Sequence, residues 1–260
     1  MLPLVLSFMI VALGVVCILI GVHVLSNKNE YVKVNLPTPN KGRGIPGDVL
    51  DLTNWSLALP IPNDRNLPLT INQPELNQFS NEFFYATSDN GVAFRAHAGG
   101  VTSRNSQYAR CEIREMTNSG RTNAAWNSSS GSHTMRVTQA ITKVTPKKPH
   151  MVSAQIHAYK DAALTVVIKG NKLCVENFGK EIAVLDPQYR LGTKFTIRIT
   201  VTSGNASVFY NDVQMARLVV KENSCYFKTG AYLASSTEKG DAPESYGEVI
   251  VYDVDVSHAS

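Results

Sequence analysis

The sequence predicts an all-β protein: an antiparallel β-sandwich of the jelly-roll kind with a concave groove, preceded by an N-terminal hydrophobic helix. Three observations point there. Short runs rich in β-branched and aromatic residues recur through residues 50–260. Clusters of Asn, Asp and Gly that favour turns fall between them. No helix-period apolar stripe of useful length follows the first 26 residues. Many short strands at regular spacing fit a two-layer sandwich. The body is about double the usual length of an immunoglobulin-like domain, which disfavours that alternative.

In chain order, residues 1–26 carry no Asp, Glu, Lys or Arg, and His23 is their only strongly polar side chain. Such a run is long enough to cross a bilayer as a helix. It lacks a basic start and a small-residue cleavage site, so the expectation is a retained anchor, with a cleaved signal segment as the alternative. Residues 27–49, with Pro37, Pro39, Gly42, Gly44, Pro46 and Gly47, have no core-forming pattern and read as a flexible linker. Residues 50–260 form the single large domain, long enough to bury its own core. Within it, Gln73–Phe79 suggests a short helix. Strands are expected over Val92–His97, Met135–Thr142, Leu164–Lys169, Lys194–Val201, Ala206–Tyr210 and Glu248–Val256. Asp89-Asn-Gly91, Lys169-Gly-Asn171, Ser203-Gly-Asn205 and Asn211-Asp212 supply turns.

Formal charge is +4 over 260 residues, a mild balance compatible with a polyanionic partner. The basic residues are dispersed, with no Lys/Arg block on the body, which argues against nucleic acid. No CxxC motif or His/Cys cluster suggests a metal, and no Gly-rich phosphate loop suggests a nucleotide, so no cofactor is expected. Cys17 lies in the anchor. The odd set Cys111, Cys174 and Cys225 permits at most one disulfide in the body. Cys174–Cys225 is the expected pair, because Cys111 sits inside a candidate site strand; three buried thiols are the alternative.

Three segments carry chemistry. In Cys225-Tyr-Phe-Lys-Thr-Gly-Ala-Tyr-Leu-Ala-Ser-Ser236, alternation puts Tyr226, Lys228 and Tyr232 on one strand face, opposite Phe227, Thr229 and Ala231. In Arg110-Cys-Glu-Ile-Arg-Glu115, Arg110, Glu112 and Arg114 share a face. Two guanidiniums can brace the carboxylate while Arg110 offers a fork to an external one. In Gln155-Ile-His157 the outer two residues share a face: an amide donor beside a side chain suited to moving a proton near neutral pH. Singly, each segment reads equally as a wet ion-pair ladder, a structural histidine or a packing tyrosine. Together they suggest a polar, cation-lined groove.

The three segments, in this order, resemble the signature regions of the alginate lyases of polysaccharide lyase family seven: Arg-x-Glu-Leu-Arg-Glu, Gln-Ile/Val-His and Tyr-Phe-Lys-x-Gly-x-Tyr. The similarity extends to Leu52–Pro60, to Gly99-Gly100 with Ser106 and Tyr108, and to Tyr189–Phe195, so it covers nearly all of 50–257. The resemblance implies a jelly roll that cleaves an acidic polysaccharide, alginate or a related polyuronate, by metal-free β-elimination, leaving a 4,5-unsaturated sugar. It implies that Arg110 and Gln155 neutralise the C5 carboxylate, and that His157 takes the C5 proton or supports its removal. Tyr232 would protonate the departing O4, or do both proton transfers where geometry requires. Lys228, Arg114, Glu112 and Tyr226 would bind substrate or brace the site. This chain departs from the family at Leu233-Ala234, where an Asn-Gln pair is usual, and at Cys111, usually Ser. The Leu233-Ala234 change is expected to alter subsite preference. In the family the Ile of Gln-Ile-His accompanies guluronate-containing substrates.

The implied activity requires a secreted or membrane-anchored protein with its body extracellular or lumenal; a monomer is expected. Lys28, Lys33, Lys41 and Arg43, which follow the apolar run, by the positive-inside rule favour the opposite orientation. A retaining glucanase needs two carboxylates on one face, whereas Glu112 and Glu115 fall on opposite faces. A non-catalytic lectin or adhesin would need no acid–base pair, and His157 with Tyr232 discriminates against it.

Overall fold

The computed structural model describes residues 31, 33–159 and 161–260. In chain order the strands among these are β1 (Trp55–Pro62), β2 (Pro68–Ile71), β3 (Phe84–Ala86), β4 (Val92–His97), β5 (Arg110–Thr117) and β6 (Thr122–Asn123). Then come β7 (Ser132–Lys143), β8 (His150–His157), β9 (Ala162–Lys169), β10 (Lys172–Asn177) and β11 (Lys180–Asp186). The last are β12 (Phe195–Thr202), β13 (Asn205–Tyr210), β14 (Val213–Val219), β15 (Tyr226–Leu233) and β16 (Tyr246–Ala259). They form two antiparallel sheets. One runs β11-β10-β9-β8-β15-β5-β1-β2, with β6 beside β5; the other runs β14-β13-β12-β7-β16-β4-β3. Every strand expected from the sequence is present. The expected helix over 73–79 is a single 3-10 turn, Glu75–Gln78.

Alternation decides which residues fill the sandwich. Leu57, Ile113, Ile156, Leu164, Val166 and Phe227 of the first sheet, and Phe94, Met135, Val137, Ile197, Ile199 and Val249 of the second, are fully buried in one cluster. Each such side chain contributes about 1.5–3 kcal/mol through removal of apolar surface from water. The opposite parity of β5, β8 and β15 therefore turns Arg110, Glu112, Arg114, Gln155, His157, Tyr226, Lys228 and Tyr232 away from this core. Glu115, of core parity, is buried as well. It accepts hydrogen bonds from Trp126 Nε1 (3.0 Å) and the Phe227 backbone N–H (2.8 Å), and pairs with His258 Nε2 at 2.7 Å. One carboxylate thus joins β5, the start of β15 and the end of β16.

Ahead of residue 50, Val34 is buried, Gly42 N–H donates to Ala86 O (2.8 Å) and Arg95 Nη1 donates to Pro37 O (3.0 Å). Among the described residues no helix is long and apolar enough to cross a membrane; the expected anchor, residues 1–26, lies outside them.

The expected Cys174–Cys225 disulfide is absent: Cys111, Cys174 and Cys225 are all free and buried. Cys174 lies on β10, with β9 and β8 between it and β15, which Cys225 immediately precedes. Three inter-strand steps of about 4.8 Å exceed the reach of a disulfide, whose Cα atoms lie within about 7 Å. Cys174 packs with Val152 and Val167, and Cys111 faces the core near Phe83 O.

The register between β15 and β8 shifts between Thr229 and Tyr232, where β15 carries an extra residue. Gly230 sits in this bulge at φ +133°, and a Cβ there would lie 2.6 Å from Cys111 O and 2.9 Å from Glu112 Cα. Only glycine satisfies both the backbone angle and the close approach of β5. Gly230→Ala is expected to lower stability by about 2 kcal/mol or more, read as a lower urea midpoint at unchanged m, and to reduce activity by displacing Tyr232.

Candidate active site

β8, β15 and β5 are adjacent, and their register brings the three sequence motifs together. Tyr226 is opposite His157, and Lys228 is flanked by Gln155 on one side and Arg114 on the other. Gly230 is opposite Glu112 and Tyr232 opposite Arg110. All eight expected site residues thus occupy one patch of the sheet. An open cleft of about 550 Å³ runs over part of it, lined by Ser56, Arg104, Arg110, Glu112, Arg114, Tyr226 and Lys228 among others.

Glu112 is the centre of the patch and is 1% exposed. Lys228 Nζ pairs closely with its Oε2, Gln155 Nε2 donates to its Oε1, and Arg110 Nη1 lies 3.6 Å from Oε2. Burial alone would raise the carboxyl's pKa. The Lys228 and Arg110 charges and the two hydrogen bonds outweigh it, so the group is held below the usual carboxylate range and stays ionised. Burial lowers the Lys228 ammonium to about 8, against the pull of Glu112. Two cations on one buried carboxylate leave a net positive charge. Arg110 also has a buried Nε–H without a partner among the described residues. An unmet buried donor next to excess positive charge is a place for an incoming anion.

Arg114 is engaged differently. Its Nη1 donates to Glu115 O (3.0 Å) and Asn123 Oδ1 (2.8 Å), its Nη2 donates to Ala124 O (3.2 Å), and the guanidinium stacks 3.9 Å from the Tyr226 ring centre. Tyr226 in turn stacks on His157, with ring centres 5.1 Å apart.

His157 Nδ1 lies 2.6 Å from Ala158 O. A carbonyl only accepts, so Nδ1 carries the hydrogen and Nε2 keeps its lone pair in the neutral ring. Burial, with the Lys228 and Arg110 charges adding to it, lowers the imidazole below 6.5 despite the bond to Ala158. The ring is therefore neutral and basic at neutral pH. Across the patch, the Arg110 guanidinium lies 4.1 Å from the Tyr232 ring centre, and Tyr232 OH is 3.1 Å from Ser106 Oγ. Arg110 thus acts electrostatically on the imidazole at one end while covering the phenol at the other.

Sequence reasoning did not assign roles to Ser56, Arg104, Ser106 or the Ala158 carbonyl. The first three lie outside the strand motifs, and a carbonyl has no side-chain signature. The Leu233 departure falls on the core side: Leu233 is fully buried in the main cluster, so its side chain is directed away from the cleft. Ile156 is likewise in the core and reads no sugar directly.

A cation-rich patch that sets a neutral imidazole and a phenol about one buried carboxylate, beside an open cleft, fits a jelly roll that acts on an acidic polymer. The comparisons agree. A family model described as alginate lyase matches residues 50–258. The solved structure of AlgAT5, an alginate lyase from polysaccharide lyase family 7, is 44% identical with TM-score 0.80, covering 83% of this chain and 99% of that one. The alginate lyase from Corynebacterium sp. is 34% identical with TM-score 0.79, covering 82% and 98%. The alginate lyase of Klebsiella pneumoniae is 25% identical, covering 83% of this chain and 92% of that protein. The chain belongs to the alginate lyase family and is a polysaccharide lyase.

The two titrations are expected to bracket activity. With His157 as the expected base, which works only when neutral, kcat/KM should fall with acid through a pKa below 6.5. The Lys228 ammonium, lowered to about 8, supports the anion site only while charged, so kcat/KM should fall again as pH rises through that value. A profile flat through both ranges would remove both groups from the reaction.

Proposed function

We propose that the protein cleaves alginate by β-elimination, with Arg110 and Gln155 binding the C5 carboxylate, His157 as base and Tyr232 as acid. The observation that carries the assignment is the pairing of a neutral imidazole, free at Nε2, with an anion site made by Arg110 on Glu112. A carboxylate held by Arg110 and an amide N–H of Gln155 can accept the charge that develops as the C5 proton leaves. His157 Nε2 takes that proton, the C4–O4 bond breaks as C4=C5 forms, and the Tyr232 phenol protonates O4. Each step uses a group already on the sheet and none calls for a metal. Lys228 holds Glu112 ionised and adds positive charge to the cleft, while Arg114 braces Tyr226 and, through it, His157.

Incubation with alginate should raise the ultraviolet absorbance of the conjugated 4,5-unsaturated product. His157→Ala and Tyr232→Phe are each expected to lower kcat by about a hundredfold or more while polymer binding is largely kept. Near-full activity in both variants would overturn the roles assigned, and inhibition by a chelator that added metal reverses would overturn the metal-free step.

Residues 1–26 form part of the same proposal, as a membrane anchor or signal segment holding a monomeric lyase domain outside the cell or in a lumen. The uncharged run of residues 1–26, long enough to cross a bilayer as a helix, supports it. Protease digestion of intact cells should release the active lyase domain. A domain protected until the membrane is opened would reverse the orientation.

A further inference from the structure

The geometry points to Ser106 as a positioning residue for Tyr232: its hydroxyl holds the phenol as a proton donor at rest and turns to stabilise the phenolate during elimination. This rests on the proposed role of Tyr232. Ser106 lies in the loop between β4 and β5, fixed by its own N–H donating to Ser103 O (2.9 Å). Its Oγ donates to Tyr108 O (3.0 Å) and accepts from the Tyr108 backbone N–H (3.2 Å). A hydroxyl has one hydrogen and two lone pairs. With its hydrogen on the Tyr108 carbonyl and one lone pair on the Tyr108 N–H, Ser106 offers its second lone pair to Tyr232 OH at 3.1 Å. In that arrangement Tyr232 is the donor, with its phenol protonated and its O–H directed at Ser106.

The rest of the ring is held as tightly. Arg110 covers one face at 4.1 Å, and Val152, with Val167 and Cys174, packs against it. The hydroxyl torsion is the freedom left to the side chain. When O4 of the polymer arrives, the O–H turns from Ser106 to O4 and delivers its proton as the C4–O4 bond breaks. His157 has by then gained the proton from C5. The phenolate left behind needs a donor, and Ser106 supplies one by turning its hydrogen from Tyr108 O to the phenolate oxygen. The phenolate then regains a proton from the imidazolium through solvent, and Ser106 returns to the carbonyl. No atom is exchanged between Ser106 and substrate, so its contribution is that of one hydrogen bond.

Two measurements on the full chain test this. In the resting protein, the hydroxyl proton of Tyr232, assigned by its loss in Tyr232→Phe, should be visible by NMR. It should disappear into exchange with water in Ser106→Ala and return in Ser106→Thr. A resonance unaffected by Ser106→Ala, or never visible in the unaltered chain, overturns the resting contact whether or not the protein cleaves alginate. In turnover, Ser106→Ala should lower kcat about three- to tenfold at unchanged KM, with Ser106→Thr restoring most of it. It should have no further effect when added to Tyr232→Phe. Wild-type kcat in Ser106→Ala, or effects that multiply in the double variant, would overturn the positioning role. Loss of activity in the unaltered chain would instead count against the lyase reading, leaving the NMR result to decide the contact.

Discussion

The site depends on one buried anion. Glu112, almost wholly removed from water, is ionised only because Lys228, Arg110 and Gln155 surround it. An isolated carboxylate in that position would be neutral, and the two cations without it would repel each other. The carboxylate therefore fixes three substrate-side groups on three adjacent strands at once, and leaves the cluster with positive charge to spare. Breaking either partner would strand the other charge in a low-dielectric setting, so the arrangement is maintained as a unit.

β5 shows how alternation turns one sequence run into two structures. Glu112 and Glu115 are three residues apart and face opposite ways. The first organises the cleft. The second, on the core side, ties Trp126, the Phe227 backbone and His258 together. Phe227 stands between Tyr226 and Lys228, so the core-side carboxylate anchors the strand that presents both groove residues. Arg114 extends the support outward by stacking on Tyr226, which stacks on His157. His157 is thus held by a chain of packed groups that begins in the hydrophobic core.

Much of this was legible in the residues themselves. Period-two alternation in Arg110–Glu115, Gln155–His157 and Tyr226–Tyr232 placed every groove side chain correctly, because strand faces are set by covalent geometry. It also placed Ile156 in the core, while the significance of Leu233 became clear only when its parity was followed to the end of the strand. The bulge at Gly230 keeps Tyr232 on the cleft side with an extra residue against β8, and sequence patterning alone gives no register. The disulfide expectation failed for a similar reason. Chain separation and elimination say nothing of strand order, and two strands lie between Cys174 and the strand that follows Cys225. Ser106, noted in the sequence only as part of the resemblance, and the Ala158 carbonyl were given no role there because their contacts depend on hydrogen-bond partners brought in by the fold.

The division between sheet and loop has a consequence for specificity. His157, Gln155, Arg110, Tyr232 and Lys228 stand on strands whose positions are set by the ladder and the core. Of the sequence features first associated with substrate preference, Ile156 and Leu233 face inward, while Ala234, of the same parity as Tyr232, is only partly buried. Outside the Glu112 cluster, Ser56 on β1 and Arg104 in the loop before β5 also line the cleft. Arg104 lies two residues from Ser106, in the same loop that meets the Tyr232 hydroxyl. One short segment therefore reaches both the cleft, through Arg104, and the Tyr232 hydroxyl, through Ser106, so a change in that loop bears on both contacts.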